Sequence, residues 1–188
     1  SHGMLINYSV VSEGLARTYG DADCIVNVER DRRYTFRQYH SLTNRIVNMM
    51  LTRLDLRGGD VWLIIRHTDS RALLSFFPAY KGEAFACYTN TSDTLETQAR
   101  QIDLVRPKVA FIEAELLGTH YALLKERGLT IVSMDPPPPG FPDVLHFWTL
   151  LEGISDANPD VLHDAHKDCL ILRFTGGTTG AAKAVMYS

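Results

Sequence analysis

The residues best able to do chemistry lie near the end of the chain, in a short stretch rich in glycine and threonine. Seven of them combine the groups that hold a polyphosphate: Thr175, Gly176, Gly177, Thr178, Thr179, Gly180 and Lys183. Glycines lack a Cβ, so a phosphate can approach the main chain, and consecutive N–H groups in such a loop form an anion-binding concavity. The threonine hydroxyls add hydrogen-bond donors, and the lysine adds a full positive charge. We therefore predict that this loop binds phosphate groups.

Two other phosphate-binding patterns do not fit this spacing. A P-loop carries its lysine directly after a glycine, whereas two alanines separate Gly180 from Lys183, and the loop does not match G-x-G-x-x-G either. The residues after Lys183 read "AVMY", which favours a strand. We therefore predict that the loop joins two strands and does not open a helix. Arg173, in the preceding strand, is a further candidate donor. The alternative is a glycine-rich hairpin tip with a purely structural role.

The composition excludes several classes of protein. The chain has 188 residues, of which 45% are hydrophobic and 22% charged, as in an ordinary globular protein. A net charge of −3 argues against a general nucleic-acid binder, and the apolar runs are too short to span a membrane. Cys24, Cys87 and Cys169 form no C-x-x-C pair, which predicts reduced thiols and a cytoplasmic location. His163 and His166 precede Cys169 without a second ligand pair, so we predict no metal site.

The first predicted elements are a hairpin and an amphipathic helix. The segments "CIVNV" and "RRYTF" predict a β-hairpin around a charged turn. Thr35 and Gln38 have the spacing of a capping box that opens a helix, and we expect this helix to end at Gly58 and Gly59. Its predicted buried face consists of apolar residues at helical spacing: Tyr39, Leu42, Ile46, Met49 and Met50.

Strands and helices alternate in the segment that follows. The apolar runs "VWLII", "AFACY", "VAFIE" and "TIVSM" predict four buried strands. Between them, Asp93 with Glu96 is expected to cap a helix that runs to about Val105, and Gly128 is expected to end another. Strands that alternate with helices through short turns favour right-handed crossovers. We therefore predict an α/β fold with a largely parallel sheet.

The prolines suggest how the chain is divided. We interpret residues 1–3 as a cloning remnant and residues 4–134 as an N-terminal α/β subdomain. The segment "DPPPPGFPD" cannot join a helix or a central strand, so residues 135–167 are predicted to be a proline-rich connector with a short helix at "VLHFWTLLEGI". Residues 168–188 would then form the strand, loop and strand that carry the candidate phosphate site.

The stretch "FTGGTTGAAKAV" resembles the signature phosphate loop of the AMP-forming adenylating enzymes, which include acyl-CoA synthetases, luciferases and peptide-synthetase adenylation domains. The family form is Y/F-T-S/G-G-T-T-G-x-P-K-G. Ala182 and Ala184 depart from its proline and glycine, but neither change removes a phosphate donor. Upstream, "YTFRQYHSLTNRIVNMML", "GGDVWLII" and "FFPAYKGEAFACYTNTSDTLETQARQI" are similar to family segments in the correct order, so the resemblance runs from about Ile25 onward.

The resemblance implies a two-step reaction and a role for the loop. A carboxylate attacks the α-phosphate of ATP with Mg²⁺, giving an acyl-adenylate and pyrophosphate, and a thiol, usually of coenzyme A, then displaces AMP. The seven loop residues would hold the β- and γ-phosphates, with Lys183 and Thr178 as the foremost candidates. The implied parent protein is an acyl- or aryl-CoA ligase of the kind found in fatty acid metabolism. The partners would be a small carboxylic acid, ATP and CoA, with no nucleic acid.

The chain is shorter than the family enzymes, whose remaining catalytic motifs would follow Ser188. We therefore expect an N-terminal fragment of the large domain that is inactive by itself and has a tendency to self-associate. The alternative is a non-catalytic nucleotide- or phosphate-binding module that works with a partner chain. The sequence leaves open which acid is activated and whether the acceptor thiol belongs to CoA or to a carrier protein.

Overall fold

The computed structural model describes residues 4–27, 32–65, 73–74, 77–164, 171–175 and 183–187. The strands are β1 Leu5–Ile6, β2 Asp23–Asn27, β3 Arg32–Thr35, β4 Val61–Ile65, β5 Phe85–Thr89, β6 Val109–Ile112, β7 Thr130–Ser133, β8 Leu145–His146, β9 His163–Asp164, β10 Ile171–Thr175 and β11 Lys183–Tyr187. The helices that we number are α1 Tyr8–Tyr19, α2 Phe36–Thr52, α3 Phe77–Lys81, α4 Leu95–Val105, α5 Leu117–Glu126 and α6 Phe147–Leu150, and a 3₁₀ turn covers Ala114–Leu116.

Seven strands form one sheet in the order β11, β10, β5, β4, β6, β7, β8. All neighbours from β10 to β8 are parallel, and β11 lies antiparallel to β10 at the edge. The predicted α/β fold with a largely parallel sheet is therefore confirmed. The predicted segments 4–134, 135–167 and 168–188 all contribute strands to this sheet, because β8 pairs with β7 and β10 pairs with β5.

Two apolar layers cover the sheet, one on each face. Because side chains alternate along a strand, β4 sends Trp62 and Ile64 to one layer and Val61, Leu63 and Ile65 to the other. The first layer includes Leu42, Ile46, Met49 and Met50 of α2. The predicted Tyr39 is buried on this helix as well, together with Thr43, Asn44 and Val47, which the prediction did not include. The second layer is completed by α4 and α5. A strand that is buried on both faces reads as a continuous apolar run, which is why "VWLII" shows no polar alternation.

Helix α2 begins as predicted but ends earlier. Gln38 N donates to Thr35 Oγ1 at 3.1 Å and Thr35 N donates to Gln38 Oε1 at 3.0 Å, which completes the capping box. The prediction that Gly58 and Gly59 end the helix is wrong, because its last residue is Thr52. Asp55 has φ 50 and so cannot continue a right-handed helix, and the turn after it carries the chain into β4.

The cap of α4 was also predicted one residue too early. Thr94 is the N-cap, and its Oγ1 accepts from Thr97 N at 3.1 Å. The Asp93 side chain is turned away from this role, because Asp93 Oδ2 accepts from Gln101 Nε2 at 3.4 Å. Glu96 binds Arg100 one turn later. By contrast, Gly128 lies just beyond α5 with φ +71, as a residue that ends a helix should.

Other elements agree with the sequence in outline. The hairpin of β2 and β3 is present, and its turn lies outside the described residues. The predicted connector helix is only α6, because Leu145 and His146 pair with β7 as strand β8. A short antiparallel pair between β1 and β9 ties the start of the chain to residues 163–164. Across the described ranges, no helix is both long and apolar enough to cross a membrane.

Replacing Arg106 by glycine should raise the free energy of unfolding by about 1 kcal/mol. Arg106 closes α4 in the left-handed conformation, with φ 50 and ψ 62, where a side chain is strained and glycine is not. Urea denaturation measures the difference. Arg100→Gly is the matched control, because Arg100 lies inside the same helix, where glycine should destabilise by about 1 kcal/mol. If both variants changed the free energy of unfolding in the same direction, the prediction would be wrong.

Candidate functional site

The hairpin of β10 and β11 flanks the predicted phosphate loop. Thr175 and Lys183 are direct partners in its antiparallel ladder, so the seven intervening residues connect the two strands. This confirms the prediction that the loop joins two strands. Of the predicted site residues, Thr175 and Lys183 lie within these strands. The other five, Gly176, Gly177, Thr178, Thr179 and Gly180, lie outside the described residues.

The hairpin presents this loop at the carboxyl edge of the sheet, meaning the edge at which the parallel strands end. Strand β10 is parallel to β5, with Leu172 opposite Cys87 and Arg173 opposite Tyr88. Thr175 therefore lies two residues beyond the last paired position, at the carboxyl end of both strands. Open α/β sheets bind ligands in the crevice outside the carboxyl ends of their strands. The position of the loop is that of a ligand site in this class of fold.

A buried polar network occupies the same edge beside β5. Its central residue is Gln98, whose Nε2 donates to the Asp93 carbonyl oxygen at 2.9 Å. That bond orients the amide, so Oε1 faces His120 Nε2 at 2.9 Å and Thr89 Oγ1 at 3.5 Å. His120 Nδ1 lies 2.8 Å from Thr119 Oγ1. The network joins the end of β5 to α4, to α5 and to the loop after β5, and so fixes the main chain next to β10.

The network also defines the protonation state of its histidine. Burial lowers the pKa of His120 below its usual value of 6.5, although the Leu116 main chain counteracts the shift. Nε2 faces the Gln98 oxygen, which can only accept, so this nitrogen carries a hydrogen and donates it to Gln98. His120 therefore acts as a neutral positioning residue in this arrangement.

We did not predict this network from the sequence, but a signal for it exists. His120 stands between Leu117 and Leu124 on the inward face of α5, and Gln98 stands four residues before Ile102 on the inward face of α4. Polar residues at core-facing positions of two amphipathic helices indicate that they bond to each other, because a buried polar group without a partner is costly. The sequence pattern does not show which two helices lie next to each other, so it could not predict that Gln98 bonds to His120.

A second buried polar cluster lies before the amino end of β5, away from the carboxyl edge. Lys81, which is 1% exposed, donates from Nζ to Thr43 Oγ1 and to Asn44 Oδ1, each at 2.8 Å. Nζ also lies 3.3 Å from the His40 carbonyl oxygen, and Ser12 Oγ is bonded to His40 Nδ1. Burial lowers the pKa of Lys81 from 10.5 to about 7.

Metal ligands are not assembled in the part of the chain that the structure describes. Within it, no group of three or more histidine, cysteine, aspartate or glutamate residues could hold a metal ion. Magnesium prefers carboxylates together with substrate phosphates. We assign no residue to the Mg²⁺ that the resemblance implies.

Comparison with known proteins gives consistent matches. The family model described as "AMP-binding enzyme" matches residues 13–188. The chain is 21% identical over 173 residues to 4-coumarate–CoA ligase 2 of Narcissus pseudonarcissus, and this match covers 88% of the chain and 30% of the relative.

Solved structures share the fold. The anthranilate CoA ligase AuaEII, solved in complex with anthranoyl-AMP, superposes with a TM-score of 0.83 at 20% identity, over 100% of this chain and 35% of that one. The N-terminal domain of FACL13 from Mycobacterium tuberculosis, solved with an inhibitor, gives a TM-score of 0.73 at 24% identity, over 96% and 44%. The chain thus spans 30% to 44% of the length of these relatives.

Proposed function

Because the chain belongs to the family of AMP-binding enzymes, we propose that the protein is an ATP-dependent ligase that activates a carboxylic acid as its adenylate. The acyl group is then transferred to the thiol of coenzyme A. The observation that carries the proposal is the position of Thr175 opposite Lys183 at the carboxyl edge of a parallel sheet. This position supports a nucleotide site formed by residues 175–183, because open α/β sheets bind ligands outside the carboxyl ends of their strands.

In the proposed first step, the acid's carboxylate oxygen attacks the α-phosphorus of ATP. The bond from that phosphorus to the bridging oxygen breaks, and negative charge accumulates on the departing pyrophosphate. Lys183, the threonine hydroxyls and the loop amides hold the β- and γ-phosphates and stabilise this charge as it develops. The same contacts orient the leaving group in line with the attacking oxygen. Mg²⁺, when bound with ATP, neutralises further charge on the phosphates.

In the second step, the thiol sulfur attacks the acyl carbon, the bond to the AMP oxygen breaks, and the thiol proton is released to a base or to solvent. The Gln98 and His120 network has a supporting role in both steps, because it holds the main chain after β5, the strand that pairs with β10. Neither side chain reacts. Thr175, Gly176, Gly177, Thr178, Thr179, Gly180 and Lys183 are thus proposed as the nucleotide-binding set.

Pyrophosphate–ATP exchange by the full-length protein tests the proposal, with a panel of carboxylic acids. Two relatives are named as ligases of aromatic acids, so the panel starts with aryl acids and continues with short and long fatty acids and amino acids. We expect exchange that depends on one class of acid, followed by thioester formation when CoA is added. Adenylation without CoA transfer would assign a carrier-protein thiol as the acceptor.

A non-catalytic nucleotide-binding module is the competing function. It predicts binding of ATP by a folded full-length protein with no exchange for any acid, and that result would refute the ligase.

We propose a cytoplasmic location, since Cys24 and Cys87 are free thiols. We also propose that this 188-residue chain alone is inactive and self-associates. Exchange by the chain, or a monomer in sedimentation at high concentration, would contradict these two points.

A further inference from the structure

A groove of about 610 Å³ lies apart from the candidate nucleotide site, between β3, the first half of α2 and α6. We call it the arginine groove, and six residues define it: Arg33, Arg37, Arg45, Tyr34, Leu42 and Trp148. Its volume falls within the range of small-molecule sites, which is roughly 300–1,000 Å³. None of the elements that line it belongs to the β10–β11 hairpin. The function proposed above assigns it no role.

The charged lining of the arginine groove is mostly positive. Among the described residues that line it, Asp156 is the one carboxylate beside three arginines, and it accepts a hydrogen bond from Ser41 Oγ at 2.9 Å. Arg33 is paired with Asp23, and Arg37 Nε lies 3.7 Å from Asp21 Oδ1. Both pairs are exposed to solvent, where an ion pair contributes little, so either arginine can turn to a ligand at small cost.

Arg45 is held in place more firmly. Its Nη2 donates to the Leu151 carbonyl oxygen at 2.7 Å, and its Nε donates to the Ile154 carbonyl oxygen at 3.3 Å. These bonds orient the guanidinium and leave Nη1 able to donate to an anion. Gln38 similarly uses Oε1 in the capping box and keeps its amide hydrogens for another acceptor. The groove thus offers oriented donors next to exposed charges.

The rest of the arginine groove is apolar and aromatic. Leu42 lies between Arg37 and Arg45, which are two helical turns or about 12 Å apart along α2. Trp148 and Tyr34 contribute half-buried rings to the same groove. A planar group already packs on the indole, since the Arg32 guanidinium carbon lies 4.8 Å from its centroid. Oriented donors beside aromatic rings match a ligand that joins a flat ring to an anion.

We propose that the arginine groove binds a small aromatic anion, meaning a planar ring that bears a phosphate or a carboxylate. The guanidinium groups of Arg33, Arg37 and Arg45 receive the anion, and Trp148 packs against the ring. Both an aryl phosphate, such as a nucleotide, and an aryl carboxylate present this chemistry. Binding at this groove is independent of the ligase function, because no residue of the predicted phosphate loop takes part.

The indole groups of the protein provide a direct assay. The chain has two tryptophans, Trp148 in the groove and Trp62, which is 1% exposed in the core. In a ¹H–¹⁵N spectrum, titration with phenyl phosphate or with benzoate should shift the Trp148 indole signal in a saturable manner and leave that of Trp62 in place. The stronger of these two ligands identifies the anion. Inorganic phosphate lacks the ring and phenol lacks the charge, so each should bind at least about tenfold more weakly.

Substitutions then locate the site. The double variant Arg33→Gln with Arg37→Gln removes two exposed charges and should weaken binding by about tenfold or more. Arg100→Gln, an exposed arginine of α4, and Lys183→Ala, in the predicted phosphate loop, should leave the affinity unchanged. The proposal is overturned if the Trp148 signal does not respond, if phosphate alone binds equally well, or if Lys183→Ala abolishes the response. Unaltered binding by the double variant would overturn it as well.

Discussion

Replacing Lys183 by alanine should slow pyrophosphate–ATP exchange by the full-length protein about 100- to 1,000-fold. Lys183 pairs with Thr175 in the β10–β11 ladder, so its main chain is part of a strand. Negative charge increases on the pyrophosphate as its bond to the α-phosphorus breaks, and we propose that Lys183 stabilises this charge. A donor that interacts more strongly with the transition state than with bound ATP acts on the rate more than on binding.

Steady-state exchange at several ATP concentrations checks this prediction. We expect the turnover number to fall much more than the Michaelis constant for ATP rises, and Lys183→Arg to recover part of the rate because it keeps the charge. Lys125→Ala is the matched control, since Lys125 is an exposed lysine of α5 paired with Asp143. An unchanged rate in folded Lys183→Ala would remove this residue from the site. A change confined to the Michaelis constant would assign it to ground-state binding only.

The stability of the protein should rise as the pH increases from 7 to 8.5, and Lys81 should account for about 1.5 kcal/mol of that rise. The amine is buried between α2 and α3 with uncharged oxygen acceptors, and burial lowers its pKa from 10.5 to about 7. Between these two pKa values the unfolded chain binds the proton and the folded chain releases it. Stability therefore increases with pH in this window and is lowest where both states are protonated.

The groups around Lys81 make it the dominant source of this dependence. His40, which lies 3.4 Å from Nζ, has a pKa lowered by burial and by Lys81, so it is already neutral above pH 7. Glu13 and Asp156 act on His40 from a greater distance. At pH 7, this pKa difference corresponds to a loss of about 4 kcal/mol of stability relative to an amine with an ordinary pKa.

Urea denaturation at pH 7 and pH 8.5 measures the effect as a double difference. Lys81→Met retains a long side chain without the titrating amine. The increase in its free energy of unfolding between pH 7 and pH 8.5 should therefore be about 1.5 kcal/mol smaller than that of the parent protein. Lys125→Met removes an exposed lysine and should keep the rise of the parent protein. Equal pH dependence in Lys81→Met and the parent would mean that the buried amine keeps an ordinary pKa.

The sequence predicted the elements whose signals are local. The capping box needs only Thr35 and Gln38, and the buried face of α2 needs only its helical spacing. The residues after Lys183 favoured a strand, and β11 confirms it. The errors are also local. Gly58 and Gly59 favoured a helix end, but Asp55 already lies in the left-handed conformation, and the cap of α4 shifted from Asp93 to Thr94, whose hydroxyl was equally suitable.

The sequence alone determined the α/β class, and it alone supports the prediction that residues 175–183 bind phosphate, because both depend on residue types and periodicity within short segments. Only the tertiary structure decided that β10 pairs with β5, which places Thr175 and Lys183 at the carboxyl edge of the sheet. It alone brought Gln98 to His120 and enclosed Lys81 between Thr43 and Asn44. The arginine groove likewise combines β3 and α2 with Trp148, more than 100 residues away. Pairing and burial depend on contacts between distant segments, and local periodicity carries no information about which segments meet.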